Sequence, residues 1–230
     1  MGCPAGLNPT HSSPGACTTH PLKIKEKHMN LERFTPENTC IVMLDYSVGF
    51  LNLFRSHPVN EHLRSTVSLA KMALGFGTGF VVNVGAGQTL YPQIVEAIGD
   101  HPVITRGGEY NVFEADQVRR AVEATGRSHL AIGGISTEGC VLYSVLGALR
   151  LGYAVAIVED ATAGETPEAH EMAMRRMVQA GVVPTTWLSF ATELQYDWSL
   201  GNSAKAYFDL IKESEPGLML GIQMEHATPA

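Results

Sequence analysis

Three side chains that can act together in nucleophilic catalysis occur along this 230-residue chain. Cys140 closes the segment GGISTEGC, residues 133–140, between a predicted strand and a predicted helix. Free amides and the positive end of a helix dipole favour a thiolate at such a position and are expected to lower the pKa of the thiol. We therefore interpret Cys140 as a candidate nucleophile. The alternative is a buried cysteine that only packs.

Asp45 and Arg106 also follow apolar runs, residues 41–44 and 103–105. The carboxyl ends of parallel strands meet at one edge of a sheet, so we expect both side chains to lie near Cys140. A carboxylate could take the thiol proton and return it to a leaving group. A guanidinium would stabilise both anions and lower the pKa of each. Taken singly, Asp45 could be a helix cap and Arg106 a surface ion pair, but their common placement favours a catalytic site.

Short apolar runs alternate with longer amphipathic segments, a pattern that predicts an α/β fold with a parallel sheet wrapped by helices. Pro167 suits the first turn of a helix and Gly181 its end. The predicted strands are residues 40–44, 80–84, 103–105, 130–133, 154–158 and 183–186, and the predicted helices are residues 59–74, 92–98, 113–125, 140–151 and 167–179, with a further helical region after Trp187.

The composition favours a protein that acts on a small-molecule substrate. The formal charge is -7 without a basic run, which argues against nucleic acid and anionic membranes as partners. No stretch approaches the roughly 18 to 20 apolar residues of a membrane span. The four cysteines include no CxxC pair, which argues against a disulfide framework or a zinc site and favours a cytoplasmic location. We predict no cofactor.

The chain is predicted to hold one folded domain with two tails. Residues 1–30 are rich in Gly, Pro, Ser and Thr and are predicted to be a disordered extension. Residues 31–212 are predicted to form the domain. Residues 213–230 lack a clear hydrophobic period and are predicted to be a C-terminal tail or interface material.

The candidate residues resemble those of the isochorismatase-like cysteine hydrolases, a superfamily that includes nicotinamidases and N-carbamoylsarcosine amidase. In that family an aspartate ends the first strand, and a lysine or, in some subgroups, an arginine ends the third. The nucleophile lies in a Gly-Val/Ile-x-Thr-x-x-Cys-Val motif. Asp45, Arg106 and residues 134–141 match these three features, and the resemblance extends over residues 38–198.

The resemblance implies a three-layer α/β/α sandwich with a six-stranded parallel sheet of order 3-2-1-4-5-6. It also implies that Asp45, Arg106 and Cys140 are catalytic and that the peptide bond between Ile135 and Ser136 is cis. The amides of Ser136 and Cys140 would form an oxyanion hole for a tetrahedral intermediate.

The chain departs from the nicotinamidases at two positions. Their Asp-x-His metal site after the second strand has no counterpart in NVGAGQ, residues 83–88, so we predict no metal. His57 and His101 are isolated in the sequence and are interpreted as loop or solvent-facing histidines. Arg106 stands where most members have a lysine. In this respect the chain resembles a subgroup whose members often assemble as homo-oligomers and whose substrates are mostly unassigned.

Hydrolysis of a C–N bond in a small amide, imide or lactam through a thioester on Cys140 is the leading functional hypothesis. Three alternatives are open: a vinyl-ether hydrolase of the isochorismatase type in which Asp45 supplies the acid chemistry, a non-catalytic binding or scaffold protein, and a redox role for Cys140. The candidate substrate-binding residues are Phe50, Phe54, Tyr110, Asn111, Phe113, Thr137 and Trp187.

Overall fold

A computed structural model describes Gly2, residues 32–199 and residues 201–227. Within these residues six strands form one sheet in the order β3-β2-β1-β4-β5-β6, and every neighbouring pair is parallel. The strands are β1 (Thr39–Leu44), β2 (Gly79–Gly85), β3 (Val103–Arg106), β4 (His129–Gly134), β5 (Ala154–Val158) and β6 (Val183–Thr185). The predicted sheet and its order are confirmed.

Eight helices accompany the sheet in the described residues. They are α1 (Val59–Phe76), α2 (Pro92–Ile98), α3 (Asp116–Ala124), α4 (Leu142–Arg150), α5 (Pro167–Ala180), α6 (Trp187–Gln195), α7 (Gly201–Ser214) and α8 (Pro216–Ala227). Helix α5 begins and ends as its sequence predicts. The Thr166 hydroxyl accepts a hydrogen bond from the Ala169 amide at 3.1 Å, and Gly181 takes a left-handed conformation with φ 107° at the end of the helix.

Two predicted helices begin later in the structure than in the sequence analysis. The predicted helix 113–125 is divided into a short 3-10 turn, Val112–Glu114, and α3, because the Asn111 side chain caps the turn and Ala115 has extended backbone angles. The predicted helix 140–151 begins at Leu142, since the preceding residues form a separate tight turn.

Two hydrophobic clusters cover the two faces of the sheet and give the predicted three layers. One cluster joins alternate β1 residues, such as Ile41 and Met43, to α1, α2, α6 and α7. The other joins Val42 and Leu44 to α3, α4 and α5. All six residues of β1 are buried, as expected for a central strand of a parallel sheet with both faces covered. The polar residues of the site therefore lie at the ends of the strands.

The C-terminal part of the chain is helical up to residue 227, although we predicted a tail from residue 213. Helix α7 packs on α1 through the buried side chains of Leu210 and Ile211. Helix α8 carries exposed apolar side chains at Leu218, Leu220 and Met224. A helix that is apolar on several sides has no amphipathic period, so its pattern could not be recognised in the sequence.

The prediction for residues 1–30 concerns residues that, apart from Gly2, lie outside those described. Among the described residues, no helix has the length and apolar character needed to cross a membrane.

The close approach of β1 and β4 gives a stability prediction for Gly134→Ala. A Cβ atom at Gly134 would lie 2.4 Å from the Leu44 carbonyl oxygen and 2.6 Å from Leu44 Cγ. The two strands pair at this point, so the backbone has little freedom to move away. We expect the substitution to lower the free energy of unfolding, measured in urea, by about 1–3 kcal/mol.

Gly108→Ala is the matched control, because a Cβ atom there meets nothing within 4 Å. We expect it to change the free energy of unfolding by less than about 0.5 kcal/mol. Equal stability of the two variants would contradict the close approach of the strands.

Candidate active site

Asp45 lies directly after β1 in a conformation that few side chains adopt. Its φ of 57° falls in the left-handed region, where aspartate is among the residues best tolerated. The side chain is 1% exposed, and the Gly85 amide donates to Oδ1 at 3.1 Å. Arg106 donates a charge-assisted hydrogen bond from Nη2 to Oδ2 of the same carboxylate. Asp45 is thus a buried carboxylate with a partner on each oxygen.

Arg106 ends β3 and is fixed along its whole guanidinium group. Its Nε donates to Asn83 Oδ1 at 3.1 Å, and its Nη1 donates to the carbonyl oxygens of Glu109 at 2.7 Å and Gly107 at 3.3 Å. The side chain is 3% exposed. A buried guanidinium with its donors paired in this way is a fixed positive charge in the site.

Asn83 is a further residue of the site, and its role was not predicted from the sequence. This residue lies in β2, between β1 and β3, and its amide nitrogen donates to the Met43 carbonyl oxygen at 3.2 Å while its oxygen accepts from Arg106. The available signal was a single polar side chain inside the apolar run 80–84.

Cys140 lies in a tight turn, Thr137–Val141, between β4 and α4, in which Gly139 has non-helical backbone angles. The amides of Gly139 and Val141 both donate to the Ser136 carbonyl oxygen at 3.1 Å. The peptide bond between Ile135 and Ser136 is cis. The charges of Asp45 and Arg106 both act on the Cys140 thiol, so the structure places the three predicted residues in one site.

The pKa values of the site differ from the sequence-based expectation. Burial and the neighbouring Asp45 anion together raise the pKa of Cys140 to about 11, and Arg106 only partly opposes this. The expected lowering of the pKa was wrong, because Cys140 is largely removed from water, faces a carboxylate and precedes α4 rather than opening it. Burial also raises the pKa of Asp45, against the opposing effect of Arg106. The resting thiol is therefore protonated at neutral pH.

A second polar group adjoins the turn of Cys140. The Thr137 hydroxyl lies 2.7 Å from His170 Nδ1, and Glu159 Oε1 lies 3.1 Å from His170 Nε2 and 3.2 Å from His57 Nε2. The hydrogen bonds from these two histidines lower the pKa of Glu159 to about 2. His57 is therefore not the isolated loop histidine that the sequence suggested.

A cavity of about 400 Å³ opens beside Cys140. Its volume is within the range of small-molecule sites. Three of the predicted substrate-binding residues, Phe50, Phe54 and Tyr110, line it. The full lining consists of Phe50, Asn52, Leu53, Phe54, Arg55, Tyr110, Ile135, Ser136, Glu138, Cys140 and Glu165.

The other predicted substrate-binding residues do not line this cavity. Phe113 and Trp187 are buried in the two hydrophobic clusters, where apolar contacts hold them. The Asn111 side chain accepts a hydrogen bond from the Phe113 amide at 3.2 Å and so caps a turn. Thr137 is fully buried and bonds to His170. These four residues support the structure around the site instead of facing a ligand.

A larger groove, of about 1160 Å³, lies at the amino ends of β4 and β5, where it contacts His129 and Ala154. It includes none of Asp45, Arg106 and Cys140. Since ligands of parallel α/β sheets bind at the carboxyl ends of the strands, the cavity beside Cys140 is the candidate substrate site.

Comparison with known proteins identifies the family. Residues 39–189 match the model of the Isochorismatase domain. The chain belongs to the isochorismatase family.

Its relatives include hydrolases whose reactions are not specified. The probable hydrolase YcaC of Escherichia coli K12 is 29% identical over 170 residues, which cover 72% of this chain and 82% of that protein. YcaC from Pseudomonas aeruginosa, solved with hexane-2,5-diol and covalent acrylamide, superposes with a TM-score of 0.80 at 27% identity and covers 85% of this chain and 98% of its own. The structure of Escherichia coli YcaC, described as an octameric hydrolase of unknown specificity, gives a TM-score of 0.79 at 27% identity with the same coverage. The chain therefore stands among the isochorismatase-family hydrolases.

The charge of Asp45 gives a prediction for the reactivity of Cys140. The Asp45 anion raises the thiol pKa, so Asp45→Asn should lower it, while Arg106 still favours the thiolate. The thiolate fraction at pH 8 then rises, partly offset because a less basic thiolate is a weaker nucleophile. We expect iodoacetamide to alkylate Cys140 roughly tenfold faster in the variant, measured by mass spectrometry of the peptide that carries Cys140.

Cys40 provides an internal control in the same samples. It is fully buried and its pKa is raised to about 12, so it should remain unlabelled in both proteins while they are folded. Slower alkylation of Cys140 in Asp45→Asn would contradict the assigned effect of the carboxylate.

Proposed function

We propose that this protein is a cysteine hydrolase that cleaves a C–N bond of a small amide, imide or lactam through a thioester on Cys140. The observation that carries the proposal is the placement of the Cys140 thiol beside the buried Asp45 carboxylate, which Arg106 holds, next to a cavity of about 400 Å³. A nucleophile within reach of a base, with the base held by a third group, is the arrangement that covalent hydrolysis requires.

Asp45 acts as general base and then as general acid. It accepts the thiol proton as Sγ attacks the carbonyl carbon, and it returns this proton to the nitrogen as the C–N bond breaks. A water molecule then gives a proton to Asp45 and attacks the thioester. Asp45 passes this proton to Sγ as the C–S bond breaks, which releases a carboxylic acid and restores the thiol and the carboxylate. The raised pKa of Asp45 suits this work, because a more basic carboxylate is a better proton acceptor near neutral pH.

Arg106 and the turn of Cys140 stabilise the charges that develop. The guanidinium orients the carboxylate and favours the anionic forms of Asp45 and Cys140. The amides of Ser136 and Cys140 donate to the oxyanion of the tetrahedral intermediates, an interaction worth about 3 kcal/mol per donor in other enzymes.

The cavity lining supports a compact substrate with a flat or cyclic group. Phe50, Phe54 and Tyr110 offer aromatic surfaces, while Arg55 and Glu165 offer charges at the same cavity. The covalent acrylamide of Pseudomonas aeruginosa YcaC supports a reactive nucleophile in a protein with this fold, since acrylamide adds to nucleophiles through its C=C bond.

We also propose that the chain forms a homo-oligomer. The octameric state of Escherichia coli YcaC supports this assembly. The exposed Leu218, Leu220 and Met224 of α8 supply apolar surface that a second copy could bury.

The test of the proposal is turnover of a panel of small amides, imides and lactams by the wild type, Cys140→Ser and Cys40→Ala, followed as release of ammonia or amine. We expect the wild type to hydrolyse members of the panel and Cys140→Ser to lose roughly 10³-fold or more in rate. Cys40→Ala is the matched control, since it removes a buried cysteine that lies in the hydrophobic core and should retain turnover.

Equal turnover by the wild type and Cys140→Ser would contradict the thioester mechanism. That outcome would favour chemistry by Asp45 without the thiol, as in the vinyl-ether alternative.

A further inference from the structure

Two histidines and a glutamate from distant parts of the chain converge beside the turn of Cys140. His57 precedes α1, Glu159 follows β5, and His170 lies on α5. Glu159 Oε1 is 3.2 Å from His57 Nε2 and 3.1 Å from His170 Nε2, and the three candidate ligand atoms all lie within 4.8 Å of one another. We call these three residues the His-Glu cluster.

The spacing of the His-Glu cluster suits one small cation. Ligand atoms at about 2.0–2.1 Å from a tetrahedral ion are roughly 3.4 Å apart, close to both distances from the Glu159 oxygen to the histidine nitrogens. Limited rotation of the side chains would bring the two histidine nitrogens to the same spacing.

The ring nitrogen of each histidine that faces away from Glu159 lies at hydrogen-bond distance from a hydroxyl group, as is usual for metal-binding histidines. His57 Nδ1 lies 2.9 Å from the Ser56 hydroxyl, and His170 Nδ1 lies 2.7 Å from the Thr137 hydroxyl. A histidine that binds a metal through one ring nitrogen donates its other N–H to an oxygen, which fixes the ring and its tautomer. Each ring therefore directs Nε2 towards the carboxylate.

The His-Glu cluster is also open on one side. The Glu159 side chain is 38% exposed and that of His57 is 17% exposed, whereas that of His170 is 8% exposed. This gives an entry path for an ion and leaves a fourth coordination position for water. The cluster is therefore buried at His170 on α5 and accessible to solvent at Glu159.

We propose that His57, Glu159 and His170 bind a divalent transition metal, with zinc as the best match. Two imidazoles and one carboxylate suit zinc, whereas calcium and magnesium prefer oxygen ligands throughout. The proposal replaces our sequence-based expectation of no metal and does not depend on the proposed hydrolase reaction.

The metal has a positioning role through Thr137. This residue begins the turn that holds Cys140, and its hydroxyl contacts His170. An ion on His170 Nε2 would fix the ring against Thr137 and so restrain the turn. Among the described contacts, none joins the His-Glu cluster directly to Asp45 or Arg106.

The test is calorimetric titration of the full chain with zinc chloride after treatment with EDTA and dialysis. We expect the wild type to bind zinc, and His57→Ala and Glu159→Gln each to lose one zinc equivalent per chain or to bind it at least tenfold more weakly. Cys140→Ser removes the reactive thiol, and His101→Ala removes a histidine that stacks on Phe80 outside the cluster. Both controls should bind zinc as the wild type does.

Thermal unfolding makes the test independent of small folding defects in the variants. Zinc should raise the midpoint temperature of unfolding of the wild type and of both controls. It should leave the midpoint temperatures of His57→Ala and Glu159→Gln unchanged. The proposal is overturned if the wild type binds no zinc, or if the cluster variants bind it as the wild type does. Loss of zinc binding in Cys140→Ser would assign the metal to the catalytic thiol and would also overturn it.

Discussion

The buried ion pair between Asp45 and Arg106 is the constraint on which the site depends. Each buried ion costs several kcal/mol to remove from water, and the cost is recovered only when the geometry is good and the remaining polar atoms are paired. The fold meets this condition with backbone groups on both sides. The Gly85 amide donates a hydrogen bond to the carboxylate, and the Glu109 carbonyl oxygen accepts one from the guanidinium.

The strand order explains how the pair is assembled. Asp45 follows β1 and Arg106 ends β3, and β2 lies between these strands. Asn83 of β2 donates to the β1 backbone and accepts from Arg106, so one amide holds both sides of the pair. The hydrophobic clusters on the two faces fix the three strands in register and thereby fix the charges.

The same ion pair determines the state of the thiol. The Asp45 anion and burial together raise the Cys140 pKa to about 11, so the resting site holds a neutral thiol beside a carboxylate. Such a thiol needs a base at the moment of attack, and the leaving nitrogen of an amide needs an acid. Proton transfer through Asp45 meets both requirements, which makes the carboxylate as important to the proposed reaction as the nucleophile.

The sequence predicted the features that strand ends determine, and missed those that depend on side-chain direction and long-range packing. Asp45, Arg106 and Cys140 could be found because each follows a strand of a parallel sheet. Phe113 and Trp187 also lie near strand ends, but their rings pack into the core, and an apolar side chain gives no sign of which way it points. His57 and Glu159 are 102 residues apart, so no local pattern could reveal that they meet.

The most direct test of the central claim is mass spectrometry of the Cys140 peptide from wild-type protein quenched in acid during turnover of an amide. The account predicts an acyl group on Cys140 that is lost when the substrate is exhausted. Turnover with Cys140 unmodified throughout, or with the acyl group on another residue, would contradict it.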